Sequence, residues 1–172
     1  MPEYPMINVS EFNNLLEGIK NGSQSAFEKF YVKYAHMIFN VAFGYVGKMG
    51  LAEDVLNDVM LKICTNISKI KYIKSPSKWL ITVVKNHCLN IINNQKRLVL
   101  SPDIFNGDNF FMAESEVMFF DLLGSLTERE RMIVILKITF GFTFKEIADI
   151  MDITDSNAEK IFYRIKTKIK EQ

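Results

Sequence analysis

Histidine, cysteine and tryptophan are scarce in this 172-residue chain, which holds two, two and one of them. His36 and His87 each fall inside a strongly periodic helical segment, and His87 and Cys88 are adjacent, so on a helix they diverge by ~100°. No CxxC or HxxxH spacing occurs, and neither a metal nor any other cofactor is expected. A glycine-rich phosphate loop and a nucleophile elbow are also missing, so an enzyme would have no recognisable catalytic residues. No apolar run approaches the ~18 residues of a membrane span, which excludes membrane insertion. The first ten residues, MPEYPMINVS, lack a basic start followed by an apolar core, so no secretion signal is expected. Cys64 and Cys88 then read as buried reduced thiols of a cytoplasmic protein.

Acidic residues are absent over one long interior stretch. From Val59 to Pro102 there is no Asp or Glu, yet Lys62, Lys69, Lys71, Lys74, Lys78, Lys85, Lys96 and Arg97 all occur. The net charge of +1 therefore averages two unlike halves. Through residue 100 twelve basic residues face seven acidic ones, and from 101 to 172 nine face thirteen. A chain with basic patches but almost no net charge binds free nucleic acid weakly, because phosphate affinity grows with the number of charges neutralised. A partner is needed to hold it there.

What is present is helix. Apolar residues make up 48% of the chain, enough to bury a core, and their spacing is helical rather than alternating. A short amphipathic helix over Ser10–Lys20 closes at Asn21-Gly22. A second, from about Ser23 to Val46, carries Phe27, Phe30, Tyr31, Tyr34, Ile38, Val41 and Tyr45 at three- and four-residue steps. A third, from about Leu51 to Ile70, places Leu51, Val55, Val59, Ile63 and Ile67 on one stripe. Ser75-Pro76 opens a fourth, with Ser at the cap and Pro at the first helical position, running to about Arg97. LVLSPDIFNGDNFFMAES then breaks the pattern and reads as a linker. Beyond it, Glu114–Leu123 is a short helix, and Thr127/Glu130 and Thr143/Glu146 are two capping boxes, the first opening a helix to about Phe140. The last helix starts near Thr154. The fold class is all-α, in two small helical domains: 1–97, with four helices, and 114–172, joined by a linker over 98–113.

Three segments carry candidate chemistry. LAEDVLNDVMLKI sets Glu53, Asp54, Asn57 and Asp58 on one polar face, either a plain solvated face or a docking surface for a basic partner. SKIKYIKSPSKW interleaves Lys with Tyr72 and Trp79; Lys neutralises phosphate, and aromatic faces stack on unpaired bases. Trp79 by itself reads as a core residue. TFKEIADIMDITDSNAEKIFYRIKTK has the helix-turn-helix arrangement, with Ala148 at the crossing, a turn near Asp152, and Ile147, Met151, Ile153, Ala158 and Phe162 expected on the inner face.

Taken together these pieces resemble the bacterial RNA polymerase sigma factors, in particular the small extracytoplasmic-function (ECF) group, which keeps only region 2 and region 4. AEDVLNDVMLKI resembles the AED-x-x-Q-[DE]-x-F segment. SKWLITVVKNHCLNIINNQKR resembles F-x-x-W-L-x-x-I-A-x-N-x-x-x-D-x-x-R-R. Leu126–Thr154 resembles L-[PT]-x-x-x-R-x-x-x-x-L-x-x-x-x-G-x-S-x-x-E-I-A-x-x-L-G-x-S. The resemblance implies a non-catalytic subunit that binds core RNA polymerase and promoter DNA, with an anti-sigma factor as a candidate further partner.

Glu53, Asp54, Asn57 and Asp58 would grip the polymerase. Lys69, Lys71, Tyr72, Lys74, Lys78, Trp79, Lys85 and Asn86 would engage the −10 element. Thr154, Asp155, Ser156, Asn157, Glu159, Lys160, Arg164, Lys166 and Lys168 would read the −35 element. Three positions depart from the pattern: Asn57 stands where Gln is usual, NNQKR is poor in arginine, and Glu159 and Ile161 stand where basic residues are common. A helical adapter that acts by protein contact alone is the alternative.

Overall fold

The computed structural model describes residues 7–95 and 114–170, and every described element is helical. These residues fall in two compact units, one on each side of the expected linker. The linker itself, with Lys96 and Arg97 just before it, lies outside the described residues.

The first unit is built from α1 (Val9–Lys20), α2 (Gln24–Val46), α3 (Met49–Thr65) and α4 (Pro76–Gln95). Asn8 caps α1 by accepting the Glu11 N–H, and Ser23 caps α2 by accepting the Ala26 N–H, each satisfying a backbone donor that the first helical turn leaves open. The Gly22 turn folds α1 back on α2, and Gly18 allows the approach: a Cβ there would meet Ala26 Cβ at 2.6 Å. Gly47, left-handed at φ 70°, ends α2. α2 is buried almost all round from Tyr34 to Tyr45, the pattern of a helix surrounded by its neighbours.

An aromatic cluster joins the helices. Phe12 of α1 lies 5.5 Å from Phe30, 5.1 Å from Tyr34 and 5.9 Å from Trp79, centroid to centroid. Burial, with the Glu11 carboxylate beside it, pushes the Tyr34 phenol up to about 12, so the ring enters the cluster as a neutral group. The expected third helix is too long by one turn. α3 ends at Thr65, and a 3-10 turn over Ile67–Lys69 follows. At the C-cap, the Asn66 backbone N–H and side-chain amide both donate to the Lys62 carbonyl at 3.0 Å.

The second unit holds α5 (Glu114–Gly124), α6 (Glu128–Val134), α7 (Phe144–Met151) and α8 (Asp155–Lys170). Both expected capping boxes form. Thr127 N–H donates to Glu130 Oε2 at 3.1 Å, and Thr143 N–H to Glu146 Oε2 at 2.8 Å, with each threonine hydroxyl accepting the return bond. The helix expected to run to about Phe140 reaches Thr139, with its last turn widened. After Val134 the chain widens into a π-type turn over Ile135–Thr139, closed by Phe140 N–H on the Ile135 carbonyl at 3.3 Å. Six consecutive residues, Arg131 to Leu136, are buried. All-round burial of this kind also marks the middle of α2, where the helix stays regular. Buried Arg131 is held by the Leu126 carbonyl at 3.0 Å, and desolvation lowers its pKa.

The turn between α7 and α8 is where the sequence places it. Asp152 takes the left-handed conformation, φ 54°, which an aspartate tolerates better than most side chains. The inner face of α8 is Ala158, Ile161 and Ile165. Of the inner face expected for this pair, Ile147 and Ala158 are buried, while Met151, Ile153 and Phe162 are only half-buried.

Candidate nucleic-acid and partner interfaces

The acidic segment forms the outer side of α3. Asp54, Asn57 and Asp58 are exposed, and Glu53 is half-buried at the flank. Val55, Leu56, Val59, Met60 and Ile63 face the core. Leu61 stands on the same outer stripe as Asp54 and Asp58, seven and three residues on, and is 63% exposed. An apolar side chain so open at the end of an acidic face suits a partner surface with a matching apolar contact. Its three- and seven-residue spacing is the signal by which the sequence marks it. Asp58 is also anchored: its Oδ2 lies 3.0 Å from His87 Nε2 on α4, and the other ring nitrogen of His87 is met by Lys62 Nζ.

The basic segment becomes the loop between the 3-10 turn and α4. Lys69, Lys71, Tyr72, Lys74 and Lys78 are all exposed. Trp79 is half-buried: one side of its ring packs on Phe12, and the ring also lines an open cleft of about 310 Å³ with Tyr72, Ile73, Lys74, Ser75, Lys78 and Thr82. The core reading of Trp79 and the interface reading are thus both satisfied by one ring. Along α4 the exposed residues Thr82, Asn86, Asn90 and Asn93 continue the stripe that begins at Trp79, with Lys78 and half-buried Lys85 along one flank. Thr82, Asn90 and Asn93 were not among the expected site residues, although their three- and four-residue spacing from Trp79 marks them.

The loop is pinned from α1. The Asn13 side chain accepts the Ile73 N–H at 2.8 Å and donates to the Ile73 carbonyl at 2.9 Å. The same amide nitrogen donates to the Val9 carbonyl at 2.7 Å.

In the second unit, Thr154 caps α8 by accepting the Asn157 N–H at 3.2 Å, and Asp155 accepts the Ser156 N–H at 2.8 Å. Ser156, Asn157, Glu159, Lys160, Lys166 and Lys168 are exposed. Tyr163, absent from the expected set, is 51% exposed and lies near the middle of the outer stripe formed with Ser156, Lys160 and Thr167. One reading changes. Ile161 is 7% exposed, a core residue, so its departure from a basic residue says nothing about a DNA-facing side. Arg164 is exposed, and its guanidinium also donates to Glu130 Oε1 at 3.0 Å. Among the described residues no cluster of His, Cys, Asp and Glu is arranged to hold a metal ion, and no helix is long and apolar enough to cross a membrane.

Residues 30–98 match the family model for Sigma-70 region 2, and residues 117–169 match that for Sigma-70 region 4. The ECF RNA polymerase sigma-E factor of Escherichia coli strain K12 is 25% identical, with 90% of each chain covered. The protein of the same description from Haemophilus influenzae is 21% identical, covering 90% of this chain and 91% of that one. Among solved structures, the sigma factor RpoE from Bartonella quintana, in complex with the anti-sigma factor NepR, matches with a TM-score of 0.64 at 17% identity, over 84% of this chain and 94% of that one. CnrH in complex with the cytosolic domain of CnrY matches with a TM-score of 0.61 at 15% identity, over 94% and 96%. Two helical units, matched in order to the two regions over most of the chain, place it in the sigma-70 family as an ECF-type sigma factor, a non-enzymatic initiation subunit that works with core RNA polymerase on promoter DNA.

Proposed function

We propose that the two units divide the promoter between them. The region 2 unit, residues 1–97, docks on core polymerase through Glu53, Asp54, Asn57, Asp58 and Leu61. It engages the −10 element with the Lys69–Lys78 loop, Trp79, Thr82, Lys85 and Asn86. The region 4 unit, residues 114–172, seats α8 at the −35 element, and residues 98–113 link the two. The site of action is the cytoplasm, where polymerase and promoter meet. An anti-sigma protein is a candidate regulator, given the fold shared with the sigma factor RpoE, which was solved in complex with the anti-sigma factor NepR.

The observation that supports this best is on α4 and the loop before it. Four exposed lysines, Lys69, Lys71, Lys74 and Lys78, with half-buried Lys85, flank a stripe of Trp79, Thr82 and Asn86 next to an open cleft. Cations draw phosphate, and an aromatic wall with polar neighbours suits a base held out of its stack. The test is transcription in vitro with core polymerase, with and without the chain, on fragmented genomic DNA. Promoter-specific transcripts that need the chain support the reading. Stable core binding with no such transcripts favours an adapter that keeps the fold and acts by protein contact.

A further inference from the structure

We infer that Asn13 is a positioning residue for −10 recognition: through its side-chain amide, α1 fixes the backbone of the loop that faces the DNA. The inference rests on the role proposed above for the Lys69–Lys78 loop. α1 lies outside the residues matched by the region 2 model, which begin at residue 30.

The loop has little to hold it from within. Its turn bonds stop with Ile70 N–H on the Ile67 carbonyl and resume with Trp79 N–H on the Ser75 carbonyl. Between them, Asn13 bonds both backbone groups of Ile73, at 2.8 and 2.9 Å, across 60 positions of sequence. Its third bond, to the Val9 carbonyl, orients the amide. With the nitrogen facing two carbonyls and the oxygen facing an N–H, the reverse flip would set oxygen against oxygen twice. Few side chains can replace it. Asp still accepts from Ile73 N–H but repels both carbonyls, Ala makes neither bond, and Gln is longer by a methylene.

Position along α1 gives the clamp its consequence. Phe12, the preceding residue, packs edge-on against Trp79 at 5.9 Å. Adjacent residues of one helix therefore hold the aromatic wall of the cleft and the backbone that presents its other wall. Tyr72, next to the clamped residue, is 67% exposed, and Lys74 on the other side is exposed as well. Free rotation of this segment would spread Tyr72 and Lys74 over many placements. Fixing Ile73 selects one before DNA arrives, so the ordering cost is not charged to binding.

The experiment uses the full chain with core polymerase on sheared genomic DNA from the source organism, mapping transcript starts by sequencing. Asn13→Asp is compared with the wild-type chain and with Val41→Ala, which opens the core of the same unit at a residue that lines neither cleft beside the loop. In Asn13→Asp we expect core capture and −35 preference to persist. Promoter-specific yield should fall roughly tenfold, the scale of one net hydrogen bond, with base preference spreading across the −10 positions. Amide exchange at Ile73 in the free chain should quicken. Val41→Ala should lower the melting temperature and leave the −10 preference sharp. An unchanged −10 preference in Asn13→Asp, or an equal spread in Val41→Ala, overturns the inference. A wild-type chain that gives no promoter-specific transcripts overturns the reading of the loop itself, and the wild-type arm tells that failure from the other.

Discussion

Arg164 on α8 donates to Glu130 Oε1 at 3.0 Å, while Glu130 Oε2 closes the capping box with Thr127 at the start of α6. One carboxylate thus caps one helix and holds a cation on another, 34 residues away. The arrangement ties the helix expected to meet DNA to the start of α6. It also puts an internal competitor against any phosphate that would recruit Arg164.

Glu130→Gln tests that pairing through its pH dependence. The Thr127 backbone bond, with help from the Thr127 hydroxyl and Arg164, holds the Glu130 carboxyl below its usual pKa. A carboxyl depressed in the folded state adds stability above the unfolded value of ~4.3, and loses it as pH falls through the folded value. Gln keeps an acceptor for the Thr127 N–H but loses the charge, so the substitution should cost about 0.5 kcal/mol at neutral pH, the scale of an exposed ion pair. The gap to wild type should narrow as the solution is made acidic. A stability difference that is flat from neutral to strongly acid pH would contradict the assignment.

Asp152→Gly should make the second unit more stable. Asp152 is the one non-glycine residue at positive φ among the described residues, φ 54°. Relief of left-handed strain is worth ~1–2 kcal/mol, and the extra freedom of glycine in the unfolded chain returns ~0.5–1 of that. A net gain of about 0.5 kcal/mol, seen as a small rise in melting temperature, is expected. A lower melting temperature would mean that the Asp152 side chain holds the turn by a bond of its own.

Local chemistry was the legible part of this chain. Thr127/Glu130 and Thr143/Glu146 sit three residues apart, so both boxes could be read directly and both form. The turn at Asp152 and the start of α4 at Pro76 are equally local. Features set by packing were not legible. The π-type turn after Val134 leaves no mark in the periodicity, since a regular helix carries a longer buried run from Met37 to Tyr45. Ile161 stands where basic residues are common in the resembled pattern, but it packs with Ala158 and Ile165, and position in a pattern does not say which face a residue takes. The Asn13–Ile73 pair spans 60 positions, and no spacing rule joins an asparagine to the backbone of a distant loop. Leu61, Thr82 and Tyr163 carried a signal in their helical register, obscured because charged neighbours attract attention first.

Asp54→Arg should remove core polymerase binding without unfolding the chain. Asp54 is exposed on the outer side of α3, with the core side formed by Val55, Leu56 and Val59. Exposed substitutions change stability by no more than ~0.5 kcal/mol in most cases, so far-UV circular dichroism should not move. Reversing a charge within a matched interface costs far more, through like-charge contact. Pull-down with core polymerase reads the result. Capture equal to wild type would place the docking face elsewhere.

Glu159→Lys should raise DNA affinity and relax base preference. Asp155, in the first turn of α8, stabilises the helix N-terminus through its dipole, and there it also opposes the positive potential that captures phosphate. Glu159 is exposed one turn on, where a carboxylate accepts from a cytosine amino group and discriminates by ~1–3 kcal/mol. Cations dominate the far half of the helix, at Lys166, Lys168 and Lys170, while Arg164 is shared with Glu130. Attraction therefore sits away from the end that reads bases, and the free chain should bind random duplex weakly at physiological salt. Lys at position 159 adds attraction at the reading end and removes the acceptor. In holoenzyme binding assays on duplexes varied through the −35 element, overall affinity should rise, its salt dependence should steepen, and preference at one position should flatten. If neither affinity nor preference moves, α8 is not seated in the groove by this face.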